Sequence, residues 1–224
     1  MTTGSTSALS WIADRRTGLP PVGDQGLRRT CLAWAATTAN EIRASEPLSV
    51  EFLHWASGRP PHRRGTPGGL TAALRAKGQP PDSQWPYNQH TDETAPDYAP
   101  PEEVVGPYYT AQARLIGTDS NALTENLTAG YLPIAGLRIT TAFLHAPGGV
   151  IHTSDKGTDG HAVTVVGIAE MLRSFGPLAA GERLICIRNS WGSSWGAAGY
   201  ALITSTAWTA CAIIALVLEP EYAK

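Results

Sequence analysis

The stretch from 183 to 200, RLICIRNSWGSSWGAAGY, decides how the rest of the chain is read. Its first part, RLICIRNSW (183–191), carries the Leu and Ile content of a strand, with Asn189 at its end. Two Trp-Gly pairs then turn the chain, and GYALITS (199–205) begins a further strand. Working outward, HAVTVVGIAE (161–170), LPIAGLRIT (132–140) and ACAIIALVLE (210–219) have the same composition between Gly, Pro or polar turns. MLRSFGPLAAGERL, between the strands of His161 and Asn189, reads as a long hairpin loop. A short helical pattern with Leu123 and Leu127 spans 120–130. Short strands joined by loops predict an antiparallel, barrel-like sheet for this half.

The first half has a different period. CLAWAATTANEIRA (31–44) places Leu32, Ala35, Ala36, Ala39 and Ile42 at helical spacing, with Thr30 as its expected N-cap. SVEFLHWAS (49–57) is a second short helix capped by Ser49, and GLTAALRAK (69–77) a third, stopped by Gly78. Proline-rich loops at 59–69 and 78–87 and a polar stretch at 88–107 connect them. The prediction is one α+β domain over 1–224. It has a helical lobe at about 18–107, a β lobe at about 108–219, an N-terminal segment crossing between them, and a cleft at the junction.

Composition narrows the function. The chain has 224 residues, 42% hydrophobic and 16% charged, which suits a packed globular domain. A net charge of −2 gives no field for nucleic acid. The longest apolar run near the C-terminus, Ala212 to Leu218, is far below the ~20 residues of a membrane span. The three cysteines, Cys31, Cys186 and Cys211, share no CxxC spacing, which argues against a disulfide framework or a Cys-rich zinc site. No metal or cofactor is expected. The N-terminus, MTTGSTSALSWIADRR, lacks the pattern of a secretory signal, so the expected location is cytoplasmic, ahead of a secreted mature fragment.

Three residues stand out by context. Cys31 opens the first helix, where aligned backbone dipoles favour a thiolate. His161 opens a strand, as an imidazole that can hold the ion pair and protonate a leaving amine. Asn189 closes a strand, with a side-chain oxygen able to fix that ring. Gln25, six residues before Cys31, has an amide that can join the Cys31 N–H in stabilising an oxyanion. Cys186 and Cys211, inside apolar stretches expected to be strands, read as buried hydrophobes. His54, His62, His90, His145 and His152 read as surface or structural, and Arg59, His62, Arg63 and Arg64 as a solvated basic turn.

The segments Asp24-Gln25-Gly26, Thr30-Cys31-Leu32-Ala33-Trp34, Gly68-Gly69, Gly160-His161-Ala162-Val163 and Asn189 to Gly196 resemble, in order, the papain-like cysteine proteases. His161 follows Cys31 by 130 positions and Asn189 follows it by 158, against about 130–150 in that family. The resemblance implies a helical lobe and a β-barrel lobe with peptide in the cleft, Cys31 as nucleophile, His161 as acid and base, Asn189 as orienter and Gln25 as oxyanion donor. It implies that Trp191 shields the Asn–His bond, that Gly68 and Gly69 pair with extended substrate, and that Leu70, Thr71 and Ala162 line a pocket for a modest apolar side chain. Arg29 and Thr30 stand at the near wall of the site beside the scissile bond. Arg28 replaces the paired cysteine that usually lies three before the nucleophile, and only 24 residues precede Gln25, so the likeness is to a short form without propeptide.

The expected activity is a cysteine endopeptidase with a narrow set of peptide or protein substrates, and with a regulatory protein as a further partner. The rivals are a transpeptidase, cyclase or leader peptidase for one dedicated peptide, and a silent peptide-binding module. The Arg28-Arg29 pair predicts a preference for an acidic group near the scissile bond.

Overall fold

The computed structural model describes residues 8–44, 46–57, 65–153 and 157–221. Three helices form one side: α1 (Cys31–Glu41), α2 (Val50–Ala56) and α3 (Pro67–Ala76). Local chemistry sets two of their starts. The Ser49 hydroxyl accepts the Phe52 N–H at 3.0 Å, and that of Thr66 accepts the Gly69 N–H at 3.2 Å. Gly78, at φ +71°, ends α3 by donating its N–H to the carbonyls of Ala73 and Leu74. α1 differs from expectation at both ends. Thr30 holds the N-cap position, but its hydroxyl bonds the Tyr87 hydroxyl at 2.9 Å and leaves the helix uncapped by a side chain. The helix then stops at Glu41, short of residue 44.

The remaining strands are β1 (Leu9–Asp14), β2 (Ala111–Ile116), β3 (Ile134–Ile139), β4 (Val150–Ile151), β5 (Asp159–Met171), β6 (Arg183–Arg188), β7 (Tyr200–Thr204) and β8 (Ala212–Pro220). They form one sheet in the order β2-β8-β3-β5-β6-β7-β4, with β1 also on β5. Every pairing is antiparallel except β4 with β7. The long strand β5 organises the lobe: its first half pairs with β3, its second half with β1, and β6 runs along its other side. Residues 172–182 form the hairpin loop between β5 and β6. Three short helices, α4 (Ser120–Thr128), α5 (Thr141–His145) and α6 (Ser205–Cys211), decorate the sheet.

The strand expected at 210–219 begins only at Ala212. Thr204 caps a helical turn by accepting the Ala207 N–H, and Trp208 pins that turn by donating Nε1–H to the Thr118 carbonyl at 2.7 Å. Cys211 therefore ends α6 and is half-buried, a correction to its placement in a strand. Cys186 does lie in β6 and is buried. Burial pushes its thiol up to about 12, and that of Cys211 up to about 11.

One continuous apolar cluster runs from α1, α2 and α3 into the sheet. Ala33, Ala35, Ala36 and Ala39 are all buried on α1. Such small side chains let the helix lie close to β5, where the Thr164 hydroxyl reaches the Ala35 carbonyl at 3.2 Å. The helix that begins with Cys31 is thus seated on the strand that carries His161.

Candidate active site

Cys31 is the first residue of α1, half-buried, with no acidic residue in the first turn to oppose the helix dipole. His161 is the third residue of β5, opposite Leu137 of β3, and is 7% exposed. Asn189 follows β6 directly, its backbone N–H held by the Gly199 carbonyl at 3.0 Å. That approach requires glycine, because Gly199 sits at φ +88° and a Cβ there would lie 2.5 Å from Val22.

The Asn189 Oδ1 lies 2.7 Å from His161 Nε2 and also accepts the Ser190 N–H at 2.8 Å. The second bond fixes which end of the carboxamide faces the ring. Nε2 must then be the donor, which leaves Nδ1 as the nitrogen for proton transfer. Aromatic rings keep this bond out of water. The Trp191 ring lies 4.6 Å from the imidazole, and Phe143 lies 5.7 Å from the imidazole and 5.6 Å from Trp191. Trp195 packs on Phe143 at 5.2 Å and donates its Nε1–H to the Phe143 carbonyl at 3.0 Å.

Gln25 reaches the site because segment 20–25 is zipped to 188–192. Arg188 donates to the carbonyls of Pro20 and Pro21 at 2.6 and 2.7 Å, Gln25 N–H to Ser190 at 2.8 Å, and Gly192 N–H to Gly23 at 3.0 Å. The Gln25 side chain accepts from the Ser190 hydroxyl at 2.7 Å and donates from Nε2 to the Arg28 carbonyl at 2.7 Å. The second Nε2 hydrogen remains for the cavity that this side chain lines.

A cavity of about 460 Å³ gathers Cys31, His161, Gln25, Trp191, Ala162 and Arg29. Asn189 braces the imidazole from behind it. The wall from the helical lobe includes Leu27, Leu32, Gly65 and Pro67; the wall from the sheet includes Ile134, Gly136, Leu137, Ile139, Ile213, Ile214 and Leu216, with Asp159 and Gly160 at the start of β5. Gly68, Gly69, Leu70 and Thr71 are not part of this lining. The first two lie in the opening turn of α3, where the Thr66 hydroxyl takes the Gly69 N–H; Leu70 is in the core, and the Thr71 hydroxyl bonds the Pro67 carbonyl at 2.8 Å.

The two arginines also separate. Both residues line the cavity, but the Arg28 guanidinium is buried and saturated by Glu51 and Glu93, whereas Arg29 is exposed. The pair expected beside the nucleophile is thus a single cation. The basic turn at Arg59, His62, Arg63 and Arg64 lies outside the described residues. Among the described residues, no three His, Cys, Asp or Glu side chains cluster as a metal ion would need. No helix among them is long and apolar enough to cross a membrane.

Sequence reasoning missed Phe143, Tyr87, Ser190 and the Ile-rich wall. Ser190 stood inside the quoted Asn-Ser-Trp-Gly signature, and Thr140 three residues before Phe143 was a cap signal for α5, whose Phe143 N–H it accepts. The Ile-rich wall is assembled by strand pairing, and Tyr87 lies on a loop, tied to Gln25 and Thr30 by its hydroxyl.

A thiol at a helix start on one wall, facing an imidazole braced by a carboxamide on the other, is the arrangement of a thiol-based acyl-transfer enzyme. The chain matches the papain family cysteine proteases over residues 63–220 and belongs to that family. It is a cysteine peptidase, a hydrolase. The matched span contains His161 and Asn189 but begins after Cys31 and Gln25.

Solved structures with the same fold include xylellain, a cysteine protease from Xylella fastidiosa. Its TM-score is 0.73 at 19% identity, over 97% of this chain and 88% of that one. A cysteine protease of Carica candamarcensis in complex with E-64 gives 0.68 at 20% identity, over 98% and 100%. The bromelain protease of Ananas comosus in complex with E64 gives 0.69 at 19%, over 96% and 100%. No curated protein sequence matches the chain.

Proposed function

We propose that the protein is an endopeptidase that cleaves within peptides through a Cys31 thioester. The Cys31 sulfur attacks the scissile carbonyl carbon. The oxyanion is held by the free hydrogen of Gln25 Nε2 and the Cys31 backbone N–H. His161 gives its Nδ1 proton to the departing amine as the C–N bond breaks. Water, deprotonated by the same nitrogen, then adds to the thioester and releases the acid and the thiol. The observation that carries this reading is the buried 2.7 Å bond between His161 and Asn189, whose ring shares one cavity with Cys31 and Gln25.

The cavity also supports a reading of the substrate. Its sheet wall is aliphatic apart from Asp159, with Gly136 accommodating the Ile214 side chain, so it suits a large apolar side chain rather than the modest one expected from sequence. Arg29 supports an acidic side chain beside the scissile bond.

The test is twofold. An epoxide thiol probe is expected to label wild type at Cys31, and Cys31→Ala is expected to lose both labelling and cleavage of an internally quenched peptide library. Cleavage that survives in folded Cys31→Ala would end the proposal. Product masses separate hydrolysis, whose two fragments together weigh one water more than the peptide, from ligation to an added amine.

A further inference from the structure

The most heavily bonded polar group outside the reacting set is Arg28, three residues before the nucleophile. Its guanidinium is 7% exposed and grips Glu51 of α2 with two bonds, NH1 at 2.6 Å and NH2 at 2.7 Å. Its Nε donates to Glu93 at 2.6 Å, and NH1 also reaches the Asn88 carbonyl at 2.8 Å. The network is closed around it. Tyr98 donates to Glu51 at 2.6 Å, His54 lies 3.0 Å from the other Glu93 oxygen, and the guanidinium stacks 4.8 Å over the Tyr87 ring. A planar, bidentate fork of this kind holds direction as well as distance.

The other end of the same residue touches the site. The Arg28 carbonyl is the acceptor for Gln25 Nε2, and Tyr87, under the guanidinium, donates to the Gln25 carbonyl at 2.9 Å while bonding Thr30 at 2.9 Å. Arg28 and Tyr87 therefore give the loop from Gln25 to Cys31 side-chain ties to the helical side. We propose that Arg28 is a positioning residue for the oxyanion donors: its buried ion network ties the 25–31 loop to α2 and the 88–98 loop and so aims the Gln25 amide. This rests on the assignment of Gln25 and Cys31 made above. Where the family likeness led us to expect a cysteine, the tie is ionic, so it does not respond to reductant.

The experiment compares Arg28→Lys and Tyr87→Phe with wild type on four readouts: kcat, KM, inhibition by a peptide aldehyde, and alkylation of Cys31 by iodoacetamide. The aldehyde adduct needs the oxyanion donors; alkylation by iodoacetamide does not. The expected result is a fall in kcat of about 10- to 100-fold with a matching loss of aldehyde affinity, short of or equal to the ~10²–10³ of deleting a donor outright. KM and the alkylation rate stay within threefold. Beyond keeping the Cys31 thiol reduced, dithiothreitol changes none of the three proteins.

Tyr87→Phe removes one oxygen and keeps the ring, so it remains informative if Arg28→Lys does not fold. Wild-type kcat and aldehyde affinity in folded Tyr87→Phe and Arg28→Lys would overturn the proposal, as would an equal loss of alkylation and kcat. Failure of wild type to be alkylated at Cys31 would instead overturn the underlying assignment of the nucleophile.

Discussion

Removing the Asn189 carboxamide tests the reading of the site most directly. In Asn189→Ala, His161 loses the acceptor at 2.7 Å, in surroundings where Asn189 is 4% and His161 7% exposed. Water has little access to replace it, because Trp191 and Phe143 cover the ring. A hydrogen bond to a charged partner contributes about 1.5–3 kcal/mol. The ring carries its charge whenever it has taken the proton from sulfur, so that whole amount enters the barrier. At about 1.4 kcal/mol per factor of ten, kcat should fall by roughly 10- to 150-fold. KM should move less than threefold, since Asn189 lies behind the imidazole and outside the cavity lining.

The Ser190 N–H loses its partner too, so Tm should drop, and kinetics must be read on the folded fraction at a temperature well below the transition. Asn189→Asp keeps an acceptor toward both groups and should recover much of the loss. The assay is hydrolysis of a quenched peptide by active-site-titrated enzyme. A folded Ala variant within threefold of wild-type kcat/KM would refute the claim that this bond orients the acid and base.

Three further outcomes follow from single groups. Burial pushes the Glu41 carboxyl up to about 7, despite the Leu48 N–H and the charge of Arg188; the folded state therefore holds its proton more tightly, and stability present below about pH 4.5 is lost as pH rises through 7, by roughly 3 kcal/mol. Urea unfolding at pH 5 and 8 should show that slope, and Glu41→Gln should flatten it; an unchanged slope in the variant would contradict the assignment. Arg29→Ala should erase any gain from Asp or Glu near the cut in a peptide library; a wild-type profile with no such gain removes the acidic-substrate reading. Gly136→Val places carbon against Ile214, within 2.8 Å of its Cγ2, and narrows the cavity. Substrates with a large apolar side chain should then lose about 10- to 100-fold more kcat/KM than those with alanine there, at about 1–3 kcal/mol for such a steric loss, and equal losses would show that this wall does not select.

The parts of the site that sequence conveyed are those whose chemistry is local. Cys31 at a helix start, His161 after a glycine and Asn189 before Trp-Gly are readable because each depends on its immediate neighbours, and their order along the chain fixes which lobe carries each. The strands of the second half were legible for the same reason, since β-branched runs between turns need no partner to be recognised. What was not legible depends on pairing. β1 and β2 are six residues each, and LSWIAD and AQARLI become strands because β5 and β8 offer an edge. The aliphatic wall required knowing that β8 lies beside β3, which brings Ile214 against Gly136. Arg28 and Arg29 are the sharpest case. Adjacent in sequence and alike in type, they face opposite ways, and only the position of Glu51 on α2 says which one goes inside.

The two halves of the site are held by different physics, and this bears on how it works. His161 lies near the start of β5 and Asn189 directly follows the neighbouring β6, under aromatic cover, where many backbone bonds must fail together before either moves. Cys31 is fixed to that frame by the alanine face of α1 on β5, a contact of small side chains with little slack. Gln25 is different. It rides on a loop joined to the sheet through Ser190 on one side and to the helical lobe through Arg28 and Tyr87 on the other. Catalysis of this kind needs the oxyanion donors aimed closely at the charge that develops. The member of the set that stands outside helix and sheet is thus held by hydrogen bonds to both lobes. The structure meets that demand by placing the most desolvated ion pair among the described residues on the residue whose carbonyl orients it.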